Sequence, residues 1–502
     1  MRADARSRAP QPPTLLNREM AAAQLSAAKR PPAKNAASTE RVLLWAFIAW
    51  LAWCPFWFGG AVLLAWGINA VLFPGLVVIY ELSLLIRGAR HPVAIRQIKL
   101  PAALFVAVVL WILVQNATWT PNWMHHPIWQ MTADALGRPV EGSISVDREL
   151  TSLALLRLIT AASVFWLALQ LCRDVSRANF LLVSIAAIIG AYAAYGLVAG
   201  WLTPGRVLWF QNPYLQIWPR GVVTSTFVNP DSFSAYAGTG FVLFCGLILR
   251  FYRDEVAAAG GSIRFRVASI IEVTGQKGLA LFAGASVTVI ALLLTASRGG
   301  IASTGFGLCV LGALTLGRSK QRFAPSAVII TIVMGTLLVG AIFLIFGDLL
   351  LGKISQAGFR DQGRMGLYVI TIRSILAAPW LGYGYGTFVD VFPMFRDQSL
   401  TTFGQWTAAH DTYLEVFQGL GLIFGPMLVA TVAVLVWRCI KGAVTRQANE
   451  TLPCVAAAVA CLLGAHALVD FTLQLQAIAI TLMALLGGGV AQSESSRLTL
   501  AD

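Results

Sequence analysis

The sequence predicts an all-α protein, a polytopic bundle of about twelve transmembrane helices with a large, partly helical loop on the outer side of the membrane. Two totals and one pattern predict it. Of the 502 residues, 57% are hydrophobic and 12% are charged, where a soluble domain carries about 25% charged residues. The mean hydropathy is +0.71. Apolar stretches of roughly 20 residues, the length that crosses a bilayer as a helix, recur along the chain.

In chain order, residues 1–40 are rich in Ala, Pro, Ser and Arg and read as a disordered cytosolic tail. No apolar core precedes Arg41, so the first span is expected to act also as the insertion signal. Spans are expected at 42–60, 66–86, 100–117, 150–172, 178–200, 232–250, 278–296, 301–317, 324–346, 412–437, 452–469 and 472–490. With the N-terminus inside, the cytoplasmic segments hold 26 of the 37 Lys and Arg and the outer segments hold 10, with Arg157 inside a span. Because positive charge gathers on the cytoplasmic side, both termini are expected there and Arg298 is expected outside.

The same distribution accounts for the net charge of +14. The bases sit in short loops such as RDVSR and GRSKQR, with no aromatic-interleaved basic face, which excludes nucleic acid as a partner. The seven cysteines contain no CxxC pair and read as small buried apolar residues, not as a disulfide framework or a zinc site.

Two outer segments stand out by length. Residues 118–149 carry Trp119, Trp123 and Trp129, which suit an aromatic belt at the interface. Residues 347–411 are too long for plain connection, and MGLYVITIRSIL, residues 365–376, has the periodicity of an amphipathic helix lying against the membrane. No internal repeat is evident, which weighs against a transporter built from two related halves.

The outer side also gathers the polar groups able to carry chemistry. These are Arg220 and Asn229 in PRGVVTSTFVNPDSFSAY, Arg298 in TASRGG, Arg360 and Arg364 in GFRDQGRMGLY, and His410 in AAHDTYLE. A guanidinium is a planar fork that binds phosphate bidentately and keeps its charge, and one imidazole beside several forks suits a diphosphate together with a hydroxyl. Plainer readings stand beside this one. Arg298 also fits a helix end snorkelling to headgroups. Arg360 and Arg364, spaced i, i+4, fit the solvated face of a surface helix, and His410 fits a polar helix cap with Asp411 and Thr412.

Other polar residues are weaker candidates. His125 and His126 are adjacent loop histidines without evident partners, Asp470 reads as an N-cap for the final helix, and His466 is a second-tier site residue. GYGYGTF, residues 382–388, lacks the lysine and the preceding strand of a phosphate loop and reads as a flexible turn.

Five blocks, TSTFVNPDSFSAYAG, LLLTASRGG, GRMGLYVITIRSILAAPWLGYGYGTF, AHDTYLEVFQGLG and HALVDFTLQLQAIA, in this order, resemble the O-antigen ligase and Wzy-type polymerase superfamily of bacterial inner-membrane glycosyltransferases. The resemblance implies a C-type glycosyltransferase fold and a metal-independent, inverting transfer of glycan from undecaprenyl diphosphate at the periplasmic face, with no cofactor. It implies catalytic roles for His410, Arg298 and Arg364, with Arg220, Asn229 and Arg360 binding substrate. The expected partners are the lipid-linked donor, a glycan or lipid A core acceptor and the bilayer, with a flippase and a chain-length regulator beside them.

On this reading residues 1–41 are a cytoplasmic tail, 42–200 N-terminal transmembrane helices, 201–490 the ligase-like core with periplasmic loop 347–411, and 491–502 a second cytoplasmic tail. The block around the histidine usually reads His-Asn in the family, where this chain has Asp411. An acidic residue nine positions after the histidine is common there, where this chain has Gly419. VDFTLQLQAIA resembles exopolysaccharide members and favours a polymerase over a ligase. The competing class is a lipid-linked glycan transporter, for which Arg157 is the clear mid-span ionisable residue, with Glu81 near the inner end of its span.

Overall fold

The structure is a computed structural model and describes residues 34–211, 222–259, 278–316, 362–398, 400, 406–446 and 448–494. The described residues are mostly helical. The helices are α1 (Lys34–Trp53), α2 (Leu63–Arg87), α3 (Lys99–Asn116), α4 (Ile128–Leu136), α5 (Arg148–Leu171), α6 (Val175–Leu202) and α7 (Pro230–Ala259), then α8 (Leu279–Leu294), α9 (Arg298–Leu316), α10 (Gln362–Ala377), α11 (Phe388–Phe395), α12 (Thr412–Thr445), α13 (Thr451–His466) and α14 (Gln476–Ser493). One antiparallel hairpin, β1 (Arg206–Val207) with β2 (Phe210–Gln211), follows α6. Helices occupy eleven of the twelve expected spans, and the twelfth, 324–346, lies outside the described residues. Among the described residues seven helices are long and apolar enough to cross a membrane, and Leu279–Leu294 and Thr451–His466 are shorter apolar helices.

Local chemistry sets where these helices begin and end. The Asp147 carboxylate accepts from the backbone N–H of Glu149 and Leu150 at the start of α5, and Asp174 does the same for Arg177 at the start of α6. At the other end of α2, Gly88 takes φ 58 and its N–H returns to the carbonyls of Leu84 and Leu85.

Burial divides the bundle into a centre and a rim. The apolar windows of α14 and α7 are 83% and 78% buried, against 22–39% for the other candidate spans. The rim therefore presents apolar residues outward, among them Val71, Leu85 and Ile86 of α2, as a lipid-facing surface requires. In the centre α14 packs most extensively on α5. Gly487 makes this possible, since a Cβ there would stand 2.4 Å from the Phe165 carbonyl.

Helices α4, α10 and α11 pack together with their turns, Ile128 joining Tyr383 and Val391 in one apolar cluster. Leu367 and Ile370 of α10 are buried with Phe388 and Phe392 of α11, while Met365, Val369, Ile372 and Leu376 leave an apolar face exposed.

The turn GYGYG is packed, which revises the reading of it as a flexible turn. Gly382, Gly384 and Gly386 all have positive φ, and a Cβ on Gly382 would come within 2.3 Å of the Gly419 carbonyl in α12. Helix α12 bends at this point, with Gly421 at φ 76 and ψ 176. Gly419, where the family often has an acidic residue, is thus occupied with close backbone packing.

Candidate functional site

The site is assembled where three helices begin. Helix α7 starts at Pro230, and Asn229 Oδ1 accepts the Asp231 N–H at 2.8 Å, so Asn229 serves as the cap of that helix. Helix α9 starts at Arg298. The tight turn before it carries its left-handed φ at Ala296, φ 51, and not at a glycine. Gly299 and Gly300, which follow the turn, have no positive φ. Instead they permit close approach, since a Cβ on Gly300 would stand 1.9 Å from Ser234 Oγ in α7, and one on Gly299 would stand 3.1 Å from Val469 and 3.7 Å from His466 Nε2.

Helix α12 starts after Asp411, whose carboxylate accepts from the Tyr413 and Leu414 N–H groups at 2.9 and 3.0 Å. Burial pushes the Asp411 carboxyl above its ordinary value, against the pull of those two N–H groups. Each helix start is the positive end of a helix dipole, so bringing the three together favours an anion.

His410 sits just before α12 with φ 53, a left-handed conformation unusual for a residue with a side chain. Its Nδ1 lies 3.2 Å from Asp470 Oδ1. Asp470 is 1% exposed, and its other oxygen accepts from Thr472 Oγ1 at 2.7 Å and Ser232 Oγ at 3.2 Å. Burial pushes the Asp470 carboxyl up, but the His410 bond, the adjacent imidazoles and the Thr472 hydroxyl outweigh it and hold the group below its ordinary value.

An ionised Asp470 assigns the tautomers around it. His410 donates Nδ1–H to the carboxylate and keeps Nε2 as an acceptor. The Thr472 proton goes to the carboxylate, so Thr472 Oγ1 accepts from His466 Nδ1 at 2.8 Å. The His410 ring is bounded by Trp406 and Phe471, with ring centres 5.9 and 4.9 Å away.

Arg364, in the first turn of α10, reaches the same place. Its Nη1 donates to the Val469 carbonyl at 2.9 Å and its Nη2 to the Asp231 carboxylate at 3.0 Å. On the same helix, the Tyr368 hydroxyl donates to the His410 carbonyl at 3.0 Å. Arg364, Asp231, His410 and Asp470 therefore form one connected cluster, with the start of α9, and so Arg298, packed against it through Gly299 and Val469.

Of the residues expected at the site, the structure gathers Arg298, Arg364, His410 and Asn229, while Arg220 and Arg360 lie outside the described residues. Asp470 does not cap the final helix. The N-cap of α14 is Leu475, which makes no side-chain cap bond, and Asp470 is the partner of His410. His466 is engaged on one side through Nδ1 and buried on the other, where its Nε2 has no hydrogen-bond partner among the described residues. His125 and His126 are elsewhere, the first 3.0 Å from Thr120 Oγ1 and the second against the Tyr383 ring.

Sequence reasoning missed Asp231, Tyr368 and the role of Asp470. Their signal was the blocks they occupy, since NPDSFSAY, GLYV and HALVDF each carry one of them beside a residue already singled out.

Residues 283–425 match the family model Wzy_C, described as O-Antigen ligase. The matched stretch runs from α8 into α12 and contains Arg298, Arg364 and His410, while Asp231 and Asp470 lie on either side of it. No curated protein is similar enough to the chain to be matched with it. The ordered blocks and this match together support a place for the chain in the O-antigen ligase and Wzy-type superfamily.

Proposed function

We propose that the protein transfers a glycan from undecaprenyl diphosphate to an acceptor hydroxyl at the periplasmic face of the bacterial inner membrane, as an O-antigen or exopolysaccharide polymerase. The observation that carries this reading is the hydrogen-bonded pair His410 and Asp470 standing within one cluster with Arg364 at the convergence of three helix starts. His410 Nε2 takes the proton of the incoming hydroxyl, and Asp470 holds the ring in the required tautomer and stabilises the imidazolium that forms. The hydroxyl oxygen bonds to the anomeric carbon as the carbon–oxygen bond to the diphosphate breaks, which inverts that centre.

The departing diphosphate gains negative charge beside Arg298 and Arg364. Fixed donors of this kind are worth about 3 to 4 kcal/mol each in a transition state. Asp231 orients the Arg364 fork so that it needs little rearrangement when the anion arrives. The reading involves no metal.

A ligase acting on lipid A core, or on protein, would use the same groups with a different acceptor. The family description, O-Antigen ligase, keeps that reading beside the polymerase.

The test is turnover by purified protein in nanodiscs supplied with undecaprenyl-diphosphate-linked glycan, with products read by gel and mass spectrometry. A ladder of lengthened lipid-linked chains that disappears in His410→Ala and Arg298→Ala supports the polymerase, and a single transfer onto added lipid A core makes the protein a ligase. Movement of intact lipid across the bilayer of proteoliposomes without any turnover would replace both with a transporter.

A further inference from the structure

Arg157 lies inside α5, within an expected span, and has no part in the cluster around His410. A guanidinium at membrane depth is expensive to bury and calls for a purpose. In the structure its Nη2 donates to the Gln474 carbonyl, its guanidinium lies 4.3 Å over the Trp66 ring, and its Nε is buried without a partner. The side chain of Gln474 in turn donates to Glu415, and the other carboxylate oxygen of Glu415 accepts the Ala409 backbone N–H, one residue before His410.

Two features connect this chain of contacts to the site. The short 3-10 turn Thr472–Gln474 carries both Thr472, which donates to Asp470, and Gln474, which donates to Glu415. One turn therefore grips His410 twice, by its side chain through Asp470 and by its backbone through Glu415. Second, a left-handed residue with a side chain is strained and persists where surrounding contacts over-determine it. Around His410 those contacts are the Tyr368 hydroxyl on its carbonyl, the Asp411 cap, the Thr412 N–H on the Ala467 carbonyl at 2.8 Å, and Glu415 on Ala409. Glu415 reaches back from the first turn of α12 in the manner of a capping-box glutamate.

We propose that Glu415 and Gln474, anchored by Arg157 from within the bundle, are positioning residues that hold the His410 turn so that its imidazole faces the acceptor hydroxyl. The inference rests on the reading of His410 as the base. It also gives Arg157 a structural task in the same site, so that a transport pathway is not needed to explain it.

The test compares wild type, His410→Ala, Glu415→Ala and Glu415→Gln in nanodiscs, reading kcat, KM for the lipid-linked donor, donor binding and thermal melting. A displaced base costs on the order of 10²-fold, so Glu415→Ala is expected to lose that much in kcat with donor KM and binding within about twofold of wild type. Glu415→Gln keeps an oxygen for the Ala409 N–H, and its amide pairs with Gln474 once the latter is flipped, so it is expected to recover about tenfold of that loss.

A Glu415→Ala protein with wild-type kcat overturns the proposal, as does one in which donor binding and melting fall together and Glu415→Gln restores nothing. Should Glu415→Ala fail to fold, Gln474→Met is read in its place. A fall of about tenfold in kcat at unchanged donor affinity is then expected, and an unchanged kcat overturns the idea. Full activity in His410→Ala overturns the assignment of the base itself, whereas silent Glu415→Ala beside inactive His410→Ala overturns only the positioning.

Discussion

At the residue scale the proposed chemistry turns on Asp470. Its carboxyl is held below its ordinary value, so it stabilises the fold at every pH above the unfolded carboxyl value of about 4, and that contribution is lost as pH falls through the lower folded value. The melting temperature of wild type should therefore fall at strongly acid pH, and Asp470→Asn should flatten that fall. The same variant should lose about 10²-fold in turnover at neutral pH, because Asn holds the imidazole less firmly in its tautomer and stabilises no imidazolium.

Asp411 illustrates the opposite case. Burial raises its carboxyl, and Asn caps a helix as well as Asp does. Asp411→Asn, which restores the usual family residue, should leave stability within about 1 kcal/mol of wild type or raise it, as read by denaturant or thermal unfolding. The His410–Asp470 pair was not legible in the sequence, because a carboxylate between two apolar helices looks like a cap, and its partner lies 60 residues away.

At the element scale the helices were legible and their couplings were not. Apolar run length and polar breaks located the long helices. The short pieces, α4, α11 and the β1–β2 hairpin, carry too few residues for a period to be read. GYGYG was misread because glycine marks both loose turns and close contacts, and only the position of Gly419 opposite Gly382 distinguishes them. The distinction can be measured. Gly382 and Gly137 both have positive φ, 66 and 61, but a Cβ on Gly137 meets nothing within 4 Å. Gly137→Ala should cost roughly 1 to 2 kcal/mol from the backbone alone. Gly382→Ala should cost clearly more and should also lower turnover, since the turn ties α10, with Arg364, to α12, with His410. Melting in detergent with parallel activity assays checks both.

At the scale of the whole molecule, positive-inside bias supports an orientation in which the clustered helix starts face the periplasm. Single cysteines placed at Trp123 and Thr445 in a background without the native ones check this. An impermeant maleimide should label Trp123→Cys on intact spheroplasts and Thr445→Cys after permeabilisation alone.

The long-range bond between Arg157 and Gln474 has a further meaning, one of time. The two residues are 317 positions apart, and at about 5 to 20 residues per second the ribosome needs tens of seconds to travel from one to the other. For that interval α5 stands in the bilayer with a guanidinium whose carbonyl partner has not been made, and with an open face where α14 will later dock. The nascent protein is therefore committed to a late closing step, in which the most buried candidate span threads into a bundle already in place. Chains cut short before Gln474 should be cleared by membrane proteases, because the earlier helices have been laid down around a centre that still lacks α14.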